Sequence, residues 1–187
     1  IQGFTLRDGH TFATTNGTTA TSDLVLTGAA VGPSSSTMFA MPVLVVDCLV
    51  TNCVSAEALF RTVHSHRCRV IGNLAHEYVF EGGFQMSNLV LNNKCRGLFT
   101  QASSGQLWAW LNTCVGNTLA PGVSSFNDWE SRVSICASII VGGSVATESQ
   151  DTDIGNVVWE QTSTAKLKKT SVVADPVFAD RAAGDYR

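Results

Sequence analysis

Two short segments twenty residues apart are near-copies: Cys48-Leu49-Val50-Thr51-Asn52-Cys53 and Cys68-Arg69-Val70-Ile71-Gly72-Asn73. A third, Asn88-Leu89-Val90-Leu91-Asn92-Asn93, follows after another twenty. A chain that repeats itself at such a period is restricted to stacked architectures, solenoids or propellers. Taking the apolar residue three before the Asn, Gly or Cys as an anchor extends the pattern to Leu6, Leu26, Val50, Val70, Val90, Cys114 and Ile140. The intervals are 20, 24, 20, 20, 24 and 26 residues. Each anchor lies in a short β-prone segment, such as Leu89–Leu91 or Ile139–Val141. No long stretch carries apolar residues at helical spacing behind a capped start. A propeller blade needs about 40 residues, and the consensus of a leucine-rich repeat is absent. The spacing predicts an all-β chain folded as a parallel β-helix of about seven coils with 20–26 residues per coil.

In such a stack, successive coils lie about 4.8 Å apart and like residues form columns. Two before the anchor come Cys48, Cys68, Asn88, Asn112 and Ser138; four before it come Val46, His66, Met86, Trp110 and Cys136. Phe60, Phe80 and Phe99 form an aromatic column on a second face, and Cys53, Asn73, Asn93, Asn117 and Gly143 fall at the turn after the anchor. Asn suits that turn because it tolerates unusual backbone geometry and bonds locally. Counting parity from the anchors points His64, His66, Trp108 and Trp110 inward. The coils are expected over 1–143, with two of them in residues 1–30. Residues 144–170 lose the period, so 144–187 is an irregular closing segment of the same domain.

Three segments carry a family resemblance. Ile1-Gln2-Gly3-Phe4-Thr5-Leu6-Arg7-Asp8-Gly9 resembles the opening coil of right-handed parallel β-helix proteins of the pectate-lyase-like superfamily. Ser138-Ile139-Ile140-Val141-Gly142-Gly143 is similar to their late coil. Asp175-Pro176-Val177-Phe178-Ala179-Asp180 with Gly184-Asp185-Tyr186-Arg187 is similar to their closing segment. The resemblance implies a right-handed coil and a secreted, cell-surface or virion-surface setting. It does not imply one activity, because the superfamily spans lyases, glycosidases, tailspikes and non-catalytic surface proteins.

At 187 residues the chain is one domain. It opens inside a coil, without Met, and solenoid ends need covering. The expectation is a fragment of a larger parent chain, or a subunit of a homo-oligomer. Charged residues make up 14% and the net charge is −3. No basic run interleaved with aromatics points to nucleic acid. The cluster Lys166, Lys168 and Lys169 reads as a solvated face. No apolar run of about 20 residues spans a membrane. The six cysteines contain no CxxC pair and read as small buried thiols rather than a metal site, with a Cys48–Cys68 disulfide as the alternative. No cofactor is expected. The only calcium candidates are Asp151 and Asp153, without a full loop motif. Asn16-Gly17-Thr18 matches a glycosylation acceptor.

Four kinds of chemistry are written into the residues. Arg67, Arg69, Lys94 and Arg96 are the cations that a β-elimination on an acidic sugar requires beside the substrate carboxylate; solvent ion pairs are their simpler role. Glu77 with Glu81, and Asp128 with Glu130, are carboxylate pairs of the type that hydrolyses glycosidic bonds, which needs two carboxyls about 5 to 9.5 Å apart. Trp129 lies in a polar loop and suits stacking on a sugar. Leu89, Leu91, Val115, Ile139 and Val141 form an apolar stripe on the outward parity, and such a stripe calls for a cover, either the 144–187 tail or a neighbouring subunit. The reading that follows is an extracellular structural or adhesive β-helix module of a surface, fibre or spike assembly, with polysaccharide as its ligand. The alternative is a fragment of a polysaccharide lyase or glycoside hydrolase. Because Val70 lies between Val50 and Val90 in the anchor column, Val70→Asp is expected to abolish the cooperative thermal transition by burying an unpaired charge. Native-like melting of that variant would break the register.

Overall fold

In the computed structural model, residues 2–7, 10–13, 19–22, 26–27, 44–100, 107–120, 126–127, 133–142, 153–160 and 170–186 are described. Among them there is no helix. The strands form three sheets, visited in rotation by each turn of a parallel β-solenoid. Sheet 1 stacks Leu44–Val46, His64–His66, Gly83–Met86, Leu107–Trp110, Val133–Cys136 and Asp153–Ile154. Sheet 2 is eight-stranded and stacks Thr5–Arg7, Leu49–Thr51, Arg69–Ile71, Leu89–Leu91, Thr113–Val115, Ile139–Val141, Val157–Trp159 and Val172–Val173. Sheet 3 centres on Val54–Ser55 with Phe60–Arg61, then Leu74–Glu81, Lys94–Thr100, and Thr118–Leu119 with Phe126–Asn127.

The register along sheet 2 pairs Val50 with Val70, Val70 with Val90, Val90 with Cys114 and Cys114 with Ile140. These side chains, and Val158 after them, are at most 2% exposed. Two expectations are corrected. Leu26 is not in this column: Leu6 pairs directly with Val50, while Leu26 pairs with Phe60 on sheet 3. Residues 1–30 are therefore not two coils, because the chain spends His10–Ala13 and Thr19–Ser22 on an antiparallel pair. At the other end the period resumes, with Val157–Trp159 beside Ile139–Val141. Only about four turns have described strands on all three sheets, not seven.

The corners of the coil have a fixed backbone signature. Three before each anchor, Asp47, Arg67, Ser87, Leu111 and Ala137 adopt left-handed φ values of 53°, 53°, 56°, 58° and 50°. Two after it, Asn52, Gly72, Asn92, Gly116, Gly142 and Glu160 do the same. An ordinary residue in this region costs about 1–2 kcal/mol. Each corner also consumes one residue that belongs to neither face. The inward residues of sheet 1 are therefore Val45, Ser65, Gln85, Ala109 and Ile135, all at most 1% exposed. His64, His66, Trp108 and Trp110 point outward, against the parity count, because that count ran straight through a left-handed corner.

At a corner the backbone N–H turns into the interior, where no neighbouring strand accepts it. Side chains do. The N–H of Cys53 donates to Asn73 Oδ1, that of Asn73 to Asn93 Oδ1 and that of Asn93 to Asn117 Oδ1, each at 2.9 Å. A second ladder flanks sheet 2 on its other side. There Cys68 donates to Asn88, Asn88 to Asn112, Asn112 to Ser138, Ser138 to Asn156 and Asn156 to Ser171, at 2.8–3.1 Å. The Asn amides in turn donate to carbonyls of the preceding coil, as Asn93 does to Val70 at 2.9 Å. Cys48, Cys53 and Cys68 fill the ladder positions of the earlier coils as free thiols that donate to Val46, Thr51 and Val45 carbonyls. Burial pushes the Cys95 thiol up to about 12, so it is inert at neutral pH.

The remaining core is apolar. Phe60 and Phe80 meet with ring centroids 4.9 Å apart, and Phe80 and Phe99 stack at 5.3 Å, filling the side under sheet 3. Outside sheet 2, Leu91, Val115 and Val141 are buried at 6%, 2% and 2%. Phe178 and Tyr186 of the closing segment pack against them with Trp159. Phe178 and Tyr186 meet edge to face at 5.1 Å, and Arg181 clips the segment to Glu160 with two hydrogen bonds of 3.0 and 2.9 Å. The Asn93 carboxamide accepts from the Asn73 N–H and donates to both Val70 and Asn117. Asn93→Ala strands buried polar groups worth about 1–3 kcal/mol each. We expect a loss of about 2–4 kcal/mol in urea unfolding with an unchanged m-value, and a smaller loss for Asn117→Ala at the half-buried end of the ladder.

Candidate functional site

The expected site residues fall on three surfaces. Arg67 lies at the corner between sheets 1 and 2, Arg69 on sheet 2, and Lys94 and Arg96 on sheet 3; two of the four are committed to carboxylates. Arg67 grips Asp47 of the preceding coil through two hydrogen bonds of 2.6 and 2.7 Å. The guanidinium holds the Asp47 carboxyl down at about 2. Arg96 donates to Glu77 at 2.8 Å and lies 5.9 Å over the Tyr78 ring. Arg69 is exposed on sheet 2 and Lys94 is exposed at the start of its sheet 3 strand. The geometry draws no acidic-sugar site from these four: two are tied to carboxylates, and each pair spans one coil step.

Glu77 and Glu81 do come together. Both line a groove of about 490 Å³ on sheet 3, with Glu57, Arg61, Tyr78 and Thr100. Register explains the convergence, since Arg61 pairs with Glu81 and Glu81 with Thr100 on successive coils. Arg61 bridges Glu57 at 2.5 Å and Glu81 at 3.3 Å. Burial pushes the Glu81 carboxyl above its ordinary value of 4.5, and Arg61 offsets part of that. A half-buried carboxyl kept protonated to a higher pH is what a general acid needs. Glu57 and Arg61 were not singled out from the sequence. A charge that recurs at the coil period, Arg61 to Glu81, was the available signal.

The third surface is the outside of sheet 1. Its first column runs Leu44, His64, Phe84 and Trp108; its second runs Val46, His66, Met86, Trp110 and Cys136. Leu44 is 52% and Trp108 is 37% exposed. Phe84 meets Trp110 edge to face at 5.1 Å, and Trp108 meets Trp110 at 5.8 Å. His64 lies 6.4 Å from Phe84 and burial lowers its pKa, so it is neutral near pH 7. Sequence reasoning placed these rings in the core; the signal that finds them is the small or polar residue between them in Leu107-Trp108-Ala109-Trp110 and His64-Ser65-His66. Ser65 and Gln85 are buried because they satisfy each other inside: Ser65 Oγ donates to Gln85 Oε1, and Gln85 Nε2 donates to Val63 and Gly82 carbonyls at 2.7 and 3.0 Å.

Asp128, Trp129, Glu130 and Asp151 lie outside the described residues, as do Asn16-Gly17-Thr18 and the lysines at 166, 168 and 169. Asp153 is in a sheet 1 strand. Among the described residues no three His, Cys, Asp or Glu side chains gather as a metal site, and no helix is long and apolar enough to cross a membrane.

The groove makes a pH prediction. The folded Glu81 pKa lies above the unfolded one, so the folded state holds the proton longer. The contribution of Glu81 to stability is fully present below about 4.5 and is lost as pH rises through the folded value. Glu81→Gln removes that fall, so urea midpoints of variant and wild type should diverge in the variant's favour between pH 4 and 7. Parallel midpoints across this range would show that burial does not govern Glu81. No protein-family profile, no curated protein and no solved structure matches this chain, which leaves the parallel β-solenoid fold and these three surfaces as the ground for a function.

Proposed function

We propose that the chain is a non-catalytic glycan-binding module, a right-handed solenoid of the pectate-lyase-like kind that serves in an extracellular surface or fibre assembly. The observation that supports this is the outward aromatic face of sheet 1, where Trp108 stands 37% exposed in a column with Phe84 and His64. Flat rings presented by a rigid sheet suit the apolar faces of sugar rings, with little side-chain entropy to lose. Rungs about 4.8 Å apart offer successive platforms to an extended polysaccharide running along the solenoid axis.

Glycoside hydrolysis in the sheet 3 groove is the second reading, and the desolvated Glu81 beside Glu77 favours it. It ranks lower because each carboxylate there is engaged by an arginine: Glu57 and Glu81 by Arg61, and Glu77 by Arg96. Retention on a panel of neutral and acidic polysaccharides by affinity electrophoresis separates the two. Trp108→Ala is expected to weaken retention about tenfold, the scale of 1.4 kcal/mol, with the circular dichroism spectrum unchanged. Glu81→Gln is expected to leave retention intact, and no reducing ends should accumulate with the wild type. Reducing ends that vanish in Glu81→Gln would install the hydrolase reading instead.

A further inference from the structure

His64 and His66 are two apart on one strand, so both imidazoles leave the same face of sheet 1. Their α-carbons are separated by about 6.6 Å along the strand, close enough for two imidazoles that lean together to share one ion. Met86 pairs directly with His66 on the next coil, about 4.8 Å away, and points the same way. All three side chains are half-buried. Neither imidazole hydrogen-bonds to a described residue, although both stand between apolar neighbours: Leu44 and Phe84 for His64, Val46 and Met86 for His66. An outward imidazole with no hydrogen bond to a described residue keeps a ring nitrogen available as a ligand.

From this placement we propose that His64, His66 and Met86 form a copper(I) site. The donor set selects the metal. Two imidazoles and a thioether make a soft set suited to copper(I). Zinc asks for four ligands of the His, Cys or carboxylate type, and no three such side chains gather among the described residues. One carboxylate that interacts with His66 is Asp47. It is held by Arg67 at 2.6 and 2.7 Å, so its oxygens are already taken. Cys136 lies in the same outward column, but Trp110 on the intervening strand separates it from Met86. The metal would sit at the His64 end of the aromatic face, and its donors do not include Trp108, so the site stands whether or not that ring holds sugar.

The test is copper(I) uptake by the full chain under anaerobic ascorbate, read by competition with bicinchoninate. One equivalent is expected, with X-ray absorption showing a mixed nitrogen and sulfur shell. His64→Phe and His66→Gln are each expected to raise the dissociation constant at least about tenfold, and Met86→Leu to remove the sulfur scatterer. Cys136→Ser should leave affinity and stoichiometry unchanged. Glycan retention of His66→Gln, measured without metal, separates this site from the sugar-binding reading. No uptake by wild-type protein, uptake indifferent to both histidine substitutions, or uptake lost in Cys136→Ser would each overturn the site. Met86→Leu and Cys136→Ser are conservative in volume, and circular dichroism checks that every variant is folded.

Discussion

The structure depends on how a tight coil disposes of the backbone N–H groups at its corners. A parallel strand satisfies its neighbours directly, but a left-handed corner turns one N–H per coil into the interior. An unpaired buried donor costs about 1–3 kcal/mol, and the left-handed backbone adds its own cost. Repeated in every coil, those terms would exceed the few kcal/mol by which a domain is stable. The Asn ladders remove the first term by giving each corner N–H a side-chain oxygen from the next coil. Because every rung borrows its acceptor from the coil beyond, the ladder also dictates the stacking register. Cysteine substitutes where the ladder begins, since a small thiol fits the same buried position and donates to a carbonyl two residues before it.

With the interior so constrained, the outer faces are free to differ, and each takes one character. On sheet 2 the outer patch of Leu91, Val115 and Val141 is apolar and is covered by Phe178 and Tyr186 of the closing segment, while Arg69 on the same sheet stays exposed. Sheet 3 carries a groove of paired charges, and two of its ion pairs, Arg61–Glu81 and Arg96–Glu77, run between successive coils. At the corner between sheets 1 and 2, Arg67–Asp47 repeats the theme. These exposed pairs contribute little stability individually, but their cross-coil spacing shows how residues twenty apart in sequence become neighbours. Sheet 1 is the exception. It presents rings, two imidazoles and a thioether outward with little charge, a composition more typical of a binding surface than of a solvated one.

Much of this was legible in the chain. The repeat at Val50, Val70 and Val90 specified the solenoid and its sheet 2 register, because only a stacked strand keeps a buried residue at a constant interval. The Phe60, Phe80 and Phe99 column and the Asn positions followed from the same period. The pair Glu77 and Glu81 was legible as carboxylates but not as members of a groove, since Glu57 and Arg61 join them only through the coil step. The two ends were misread for opposite reasons: an antiparallel pair lengthens the first turn past Leu26, and shortened coils hide Val158 from a 20-residue period.

What the sequence alone determined is therefore the fold class, the anchor column and the identity of the ladder residues, since these depend on spacing that translation along the stack preserves. What only the tertiary structure decided is which side of sheet 1 faces water. Alternation carries that information only while the strand runs straight. At Asp47, Arg67, Ser87, Leu111 and Ala137 the backbone passes through a left-handed corner, with φ between 50° and 58°. One residue is spent there on neither face, and Trp108, Trp110, His64 and His66 emerge on the outside.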